Sequence, residues 1–199
     1  MIFNYYLDSY GYAGIIFEND NFKRNYTIEY CLGDNLYELL EGIIALTKYK
    51  KDHKIGDDIN TKCVEDRYKN NHEDLYEWIT DVGSSKAKFI FKLTEVSEII
   101  NLKIIEDDID GERVVFENEL NFYELIDNIL DSCYNILNKY GILGYYLNFW
   151  IDFPISYYLM LKDFRKKKIK FDKINEFIND DTDMHRSNFD DEIEYLIKK

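Results

Sequence analysis

Cysteine is scarce. Cys31, Cys63 and Cys133 are an odd set at wide spacing with no C-x-x-C among them, so neither a disulfide framework nor a structural zinc site is indicated. Long apolar runs are missing as well. No stretch approaches the roughly 20 residues that cross a bilayer, and Met1 to Asp8 opens apolar without a basic region or a cleavage site. The chain reads as a soluble protein of a reducing cytoplasm with no membrane partner. Cations are outnumbered, 25 against 39 acids, for a net charge of −14. A direct nucleic-acid binder needs a cationic face to meet phosphate, so that class is set aside. A basic protein partner is favoured instead, because complementary fields raise encounter rates and orient the approach, although the same acidity also serves solubility alone. Motifs are lacking too. No G-x-x-x-x-G-K-S/T, G-x-G-x-x-G, H-E-x-x-H or G-x-S-x-G occurs, so no catalytic residue, cofactor or metal is expected.

Aromatic residues are abundant, at 17% with 18 Tyr and 13 Phe, and 46% hydrophobic content is enough for a substantial core. Ile2 to Leu7, Gly11 to Glu18 and Phe22 to Cys31 have strand composition and are separated by turn residues, which predicts a three-stranded antiparallel meander. Asp34 or Asn35 then caps a helix to about Lys50, with Leu36, Leu39, Leu40, Ile43 and Ile44 as its apolar stripe. Lys51 to Asn71 is mixed charge without a period, followed by a short helix around Asp74 to Ile79 that Trp78 anchors. Strands follow near Lys88 to Thr94, Glu98 to Glu106 and Glu112 to Glu119, with Asp110-Gly111 as the tight turn. A second helix runs from Asn121 to Tyr140 with Gly141 as its C-cap.

The segment Asn35-Leu36-Tyr37-Glu38-Leu39 recurs as Asn121-Phe122-Tyr123-Glu124-Leu125. The pattern is therefore one α+β domain over 1–199, with βββα halves at 1–50 and 86–141, a charged excursion at 51–85 and a helical addition at 142–199. About six strands form an antiparallel sheet carrying helices on one face, since a lone meander half buries its helix-facing surface poorly. In the addition, Gly141 to Phe153 reads as an aromatic loop, Pro154 opens a helix to Lys168, and Phe171, Ile174, Phe177 and Ile178 suggest a short helix. A polar break from Asn179 to Ser187 precedes a last helix containing Ile193 and Leu196.

Four groups of residues invite a chemical reading. Glu106, Asp108, Asp110, Gly111 and Glu117 fall on EF-hand spacing, but Glu106 replaces the usual Asp, Arg113 stands where an apolar residue is usual, and the flanks are strands. A hairpin turn with solvated acids accounts for them. Asp180, Asp181, Asp183 and His185 read as a solvated acidic loop, and Cys63 with His72 lacks any motif around the thiol. The basic run Lys162, Arg165, Lys166, Lys167, Lys168 and Lys170 ends a helix, where cations suit the dipole, and precedes acids that can pair with it.

The order of elements over Lys88 to Leu161, ending in Tyr140-Gly141, Gly144-Tyr145, Trp150 and Phe153-Pro154, resembles the immunity proteins found beside bacterial polymorphic toxins. The resemblance implies a non-enzymatic acidic protein that neutralises a basic toxin or effector by covering its surface. The candidate contact residues are Glu106, Asp107, Asp108, Asp110 and Glu112 on the hairpin, and Asp180, Asp181, Asp183, Asp190 and Asp191 near the end of the chain. Two other readings stand beside it: a phage or mobile-element inhibitor that presents DNA-like charge to a host nucleic-acid enzyme, and a small enzyme or ligand-binding domain whose site the fold assembles.

Overall fold

The computed structural model describes residues 1–29, 34–47, 75–82, 85–96, 98–166, 171–174 and 184–187, with 193, 194 and 196. Alternation sets the first sheet. Strands β1 (Ile2–Ser9), β2 (Tyr12–Asn19) and β3 (Phe22–Glu29) pair antiparallel in that order, and Phe3, Tyr5, Leu7, Ala13, Ile15, Phe17, Tyr26 and Ile28 turn to the buried side. Asp20 takes the left-handed conformation (φ 48°) in the second turn, as a short polar side chain tolerates.

The second sheet has four antiparallel strands, β4 (Leu75–Val82), β5 (Ser85–Leu93), β6 (Ile99–Asp108) and β7 (Gly111–Asn121), in chain order. The short helix expected around Asp74 to Ile79 is instead β4. Tyr76, Trp78 and Thr80 alternate inward, but Leu75 and Ile79 on the other face are also apolar, and this blurs the two-residue period. Among the described residues, the two meanders thus supply seven strands in separate sheets of three and four, where a single sheet of about six was expected; the α+β class and the antiparallel meanders are as read.

Aromatic rings join the sheets. Trp78, Phe89, Ile104 and Phe116 form one cross-strand row of the second sheet. Phe3 meets Trp78 and Phe89 with ring centroids 6.5 Å apart in each case, Tyr26 meets Phe89 at 5.5 Å and Phe17 meets Phe116 at 4.9 Å. Each such side chain contributes about 1.5–3 kcal/mol by leaving water, so this layer is a principal source of stability.

Helices α1 (Asn35–Leu46) and α2 (Phe122–Phe149) cross over between the sheets. The first follows sheet one yet packs on β4, the edge strand of sheet two: Gly42 admits the ring of Tyr76, whose hydroxyl donates to the Glu38 carbonyl. The second follows sheet two yet lies along β1, the edge strand of sheet one. There the Phe3 and Tyr5 N–H groups donate to Asn128 Oδ1 (3.3 Å) and Ser132 Oγ (3.0 Å). Side chains of α2 thereby accept from backbone amides along the edge of β1.

Helix α3 (Ile155–Lys166) rests on both repeated segments. Tyr37 packs edge-on against Tyr157 at 4.9 Å and Tyr123 stacks with Phe164 at 6.2 Å. The equivalent acids follow suit: Tyr157 Oη donates to Glu41 Oε1 (2.9 Å), and the Arg165 guanidinium makes a two-pronged bond to Asp127 (2.8 and 2.6 Å). The repeated Tyr and acid positions are therefore α3-docking sites. Strands β8 (Phe171–Ile174) and β9 (Met184–Ser187) pair antiparallel, where a helix and a polar break were expected. Phe177, Ile178 and most of the last predicted helix lie outside the described residues, as do Lys51 to Asn71, with His53 and Cys63, and His72.

Candidate functional site

Strands β6 and β7 bring Glu106, Asp107, Asp108, Asp110 and Glu112 to one end of the second sheet. The turn forms because Gly111 adopts φ 101° and the Asp110 N–H donates to Asp108 Oδ1 (2.9 Å). The acids differ in what they face. Glu106 is only 15% exposed and accepts from Arg24 Nε (3.3 Å), Arg113 Nη2 (2.8 Å) and Tyr26 Oη (3.2 Å). Burial, and then the Glu106 charge, push the Tyr26 hydroxyl pKa well up; the bond to Glu106 likewise raises that of Arg113. Asp108 lies 3.6 Å from Arg113 and Glu112 lies 3.6 Å from Lys88. Asp107 borders a shallow groove of about 210 Å³ with Lys86, Lys88 and Glu112. Cations from both sheets thus partly balance this acidic cluster. Glu117, the twelfth position of the EF-hand spacing, stands opposite Lys103 on the neighbouring strand, 3.3 Å from its ammonium. Asp180, Asp181, Asp183, Asp190 and Asp191 lie outside the described residues.

A second surface went unread in the sequence. Gly141 takes φ 67°, ψ 177° and breaks the helical path at the predicted C-cap, but the helix resumes through Phe149 where a loop was expected. Tyr145 and Phe149 on the resumed limb turn inward; Tyr145 packs against both Phe149 and Phe153, and Phe153 meets Tyr158 in turn. The opposite stripe, Ile142, Leu143, Tyr146, Leu147 and Trp150, faces solvent, with Leu143 69% and Trp150 72% exposed. Trp150 closes the helix in the left-handed conformation (φ 56°), its N–H donating to the Tyr146 carbonyl at 2.6 Å. The ring of Tyr10, from the β1–β2 turn, packs edge-on against it at 5.4 Å. The signal was available: a helix apolar on every side is normally buried, so one that lies at the surface marks a contact face. Two glycines in four residues hid the helix.

Between α2 and α3 a groove of about 230 Å³ is lined by Asp127, Asp131, Tyr134, Tyr158, Lys162 and Lys166. Lys162 is buried with its ammonium 5.0 Å from the Tyr158 ring centroid, and burial together with the Lys166 charge lowers its pKa to about 8. Cys133 is buried in the core and burial pushes its thiol pKa up, away from the reactive thiolate form. No described helix is long and apolar enough to cross a membrane. Comparison with protein families, with curated proteins and with solved structures returned no match.

Proposed function

We propose that this is a non-enzymatic acidic binding protein of the immunity or antitoxin kind, which neutralises a basic toxin or effector by covering its surface. The observation that carries the reading is an exposed apolar and aromatic stripe, Ile142 to Trp150, on a chain with 39 acids against 25 bases. Protein interfaces draw most of their affinity from a few desolvated anchors, with Trp and Tyr prominent, while acids around them steer a cationic partner. Among the alternatives, charge mimicry of DNA calls for acids in phosphate-like rows. The cross-strand pair Lys103–Glu117 and the ion pair from Lys88 on β5 to Glu112 on β7 interleave cations with acids, which favours the first reading.

Co-expression with the product of the adjacent reading frame tests the proposal. Complex formation and relief of that protein's toxicity are expected; free coexistence with undiminished toxicity would overturn the reading.

A further inference from the structure

We infer that the elbow of α2, rather than the acidic hairpin, is the docking surface, and that its occupant is a basic protein presenting an apolar cleft rimmed by cations. This rests on the binding role proposed above and deepens it. Ile142, Leu143, Tyr146, Leu147 and Trp150 recur at helical spacing on one exposed face, and Tyr10 extends that face across to the first sheet. The anchor is held before any partner arrives: the bond to Tyr146 fixes the Trp150 backbone and Tyr10 braces its ring, so little side-chain freedom remains to be lost on binding.

Charge selects the occupant. From Tyr140 to Leu161 the only charged side chain is Asp152, and from Met1 to Phe22 the charged side chains are Asp8, Glu18 and Asp20. Within these bounds neither segment has a Lys or Arg; the cation next to the elbow is Lys139, at the end of the first limb of α2, with its ammonium 4.8 Å from the Tyr140 ring centroid. Asp8 and Asp152 are exposed, each two residues from one of the paired rings Tyr10 and Trp150. An apolar surface with acids beside its two paired rings, on a chain of net charge −14, suits a partner that supplies the cations. A second copy, itself carrying −14, brings like charge to the same place. At the hairpin, by contrast, Arg24, Arg113 and Lys88 already face the acids.

Fluorescence and binding measured on the full chain test the assignment. Of the two tryptophans, Trp78 is buried and Trp150 exposed, so Trp150 reports on the elbow. In the free protein acrylamide quenches it readily; adding the purified product of the adjacent reading frame is expected to shift its emission to the blue and protect it. The double variant L143S/L147S, which keeps the reporter, and Trp150→Ala are expected to weaken binding at least about 30-fold, the scale of an interface anchor. The hairpin variant D110N/E112Q should stay within about threefold of wild type, the range for a rim charge. Loss of binding in the hairpin variant with retention in the elbow variants overturns the assignment while the binding role stands. Absence of both binding and relief of toxicity in wild type overturns role and surface together. If Trp150 is shielded in dilute free protein, a segment of this chain occupies the elbow; if it is shielded only at high concentration, with a dimer in sedimentation, a second copy does. Either result overturns the inference.

Discussion

Helices α1 and α2 begin with nearly the same residues, yet each is fastened differently to the strand it covers. Their caps are offset by one position: Asp34 Oδ1 accepts from the Tyr37 N–H at 3.0 Å, whereas Asn121 Oδ1 accepts from the Glu124 N–H at 2.9 Å. Asn35, the counterpart of Asn121, is consequently inside its helix and buried. The divergence is greatest at the eighth position of the repeat. In α1 it is Gly42, whose missing side chain lets Tyr76 pack against the helix; in α2 it is Asn128, whose side chain reaches the edge of β1. In α1 the contact is shaped by a missing side chain and the strand's Tyr76 bonds to the helix backbone; in α2 the helix side chains bond to the strand backbone. The shared Tyr and acid positions, by contrast, do the same task twice, since both sets receive α3.

Exchanging the two solutions should expose the difference. Gly42→Asn places the α2 residue in α1, where even its β-carbon would fall within the Tyr76 ring, and overpacking of this kind is expected to cost about 3 kcal/mol in urea unfolding. A cost no greater than that of a surface substitution would mean that shape does not fasten α1. On the α2 side, Ser132→Ala leaves the buried Tyr5 N–H without its acceptor and should cost about 2 kcal/mol, with faster hydrogen exchange at Tyr5. Unchanged exchange there would remove hydrogen bonding as the fastener. Asp127→Asn weakens the Arg165 bond at a largely exposed site, so a loss of only about 0.5 kcal/mol is expected, diminishing with salt.

The smallest effect is a change of slope. Lys162 has its folded pKa lowered to about 8 from 10.5, so between these values the unfolded chain binds more protons than the folded one. Stability contributed by this group therefore rises with pH across that window, and the penalty is fully present below it. Lys162→Met should flatten the rise in Tm between pH 8 and 10. An identical profile in the two proteins would show that Lys162 is not desolvated. Above pH 10 the raised tyrosine pKa values act in the opposite sense, because the unfolded chain then loses protons first.

Much of this fold was legible because its residues obey local rules. The first three strands alternate inward and outward with polar turns between them, and both caps and apolar stripes of the early helices follow from spacing alone. The misread parts fail for identifiable reasons. In β4 the outward Leu75 and Ile79 mask the alternation, and in β8 the spacing of Phe171 and Ile174 suits a helix while the pairing strand lies ten residues further on. The exchange of helices between the sheets left no trace in either half, because it is a non-local choice. Likewise, the hairpin acids were visible as a cluster, but their cations Arg24 and Lys88 come from other strands. The elbow was hidden by Gly141 and Gly144: glycine signals a stop, and only tertiary packing of Tyr145 and Phe149 shows that the helix resumes.

The edge amides of β1 also set an order of events during synthesis. Phe3 and Tyr5 leave the ribosome well before their acceptors, which lie 125 and 127 positions later. Until α2 has emerged, the first sheet can be complete in its own strands and still present an open edge that another chain could extend. A nascent fragment ending within β7 would therefore be a seed for misassembly, and the closing of α2 along β1 is the step that makes the chain safe to release.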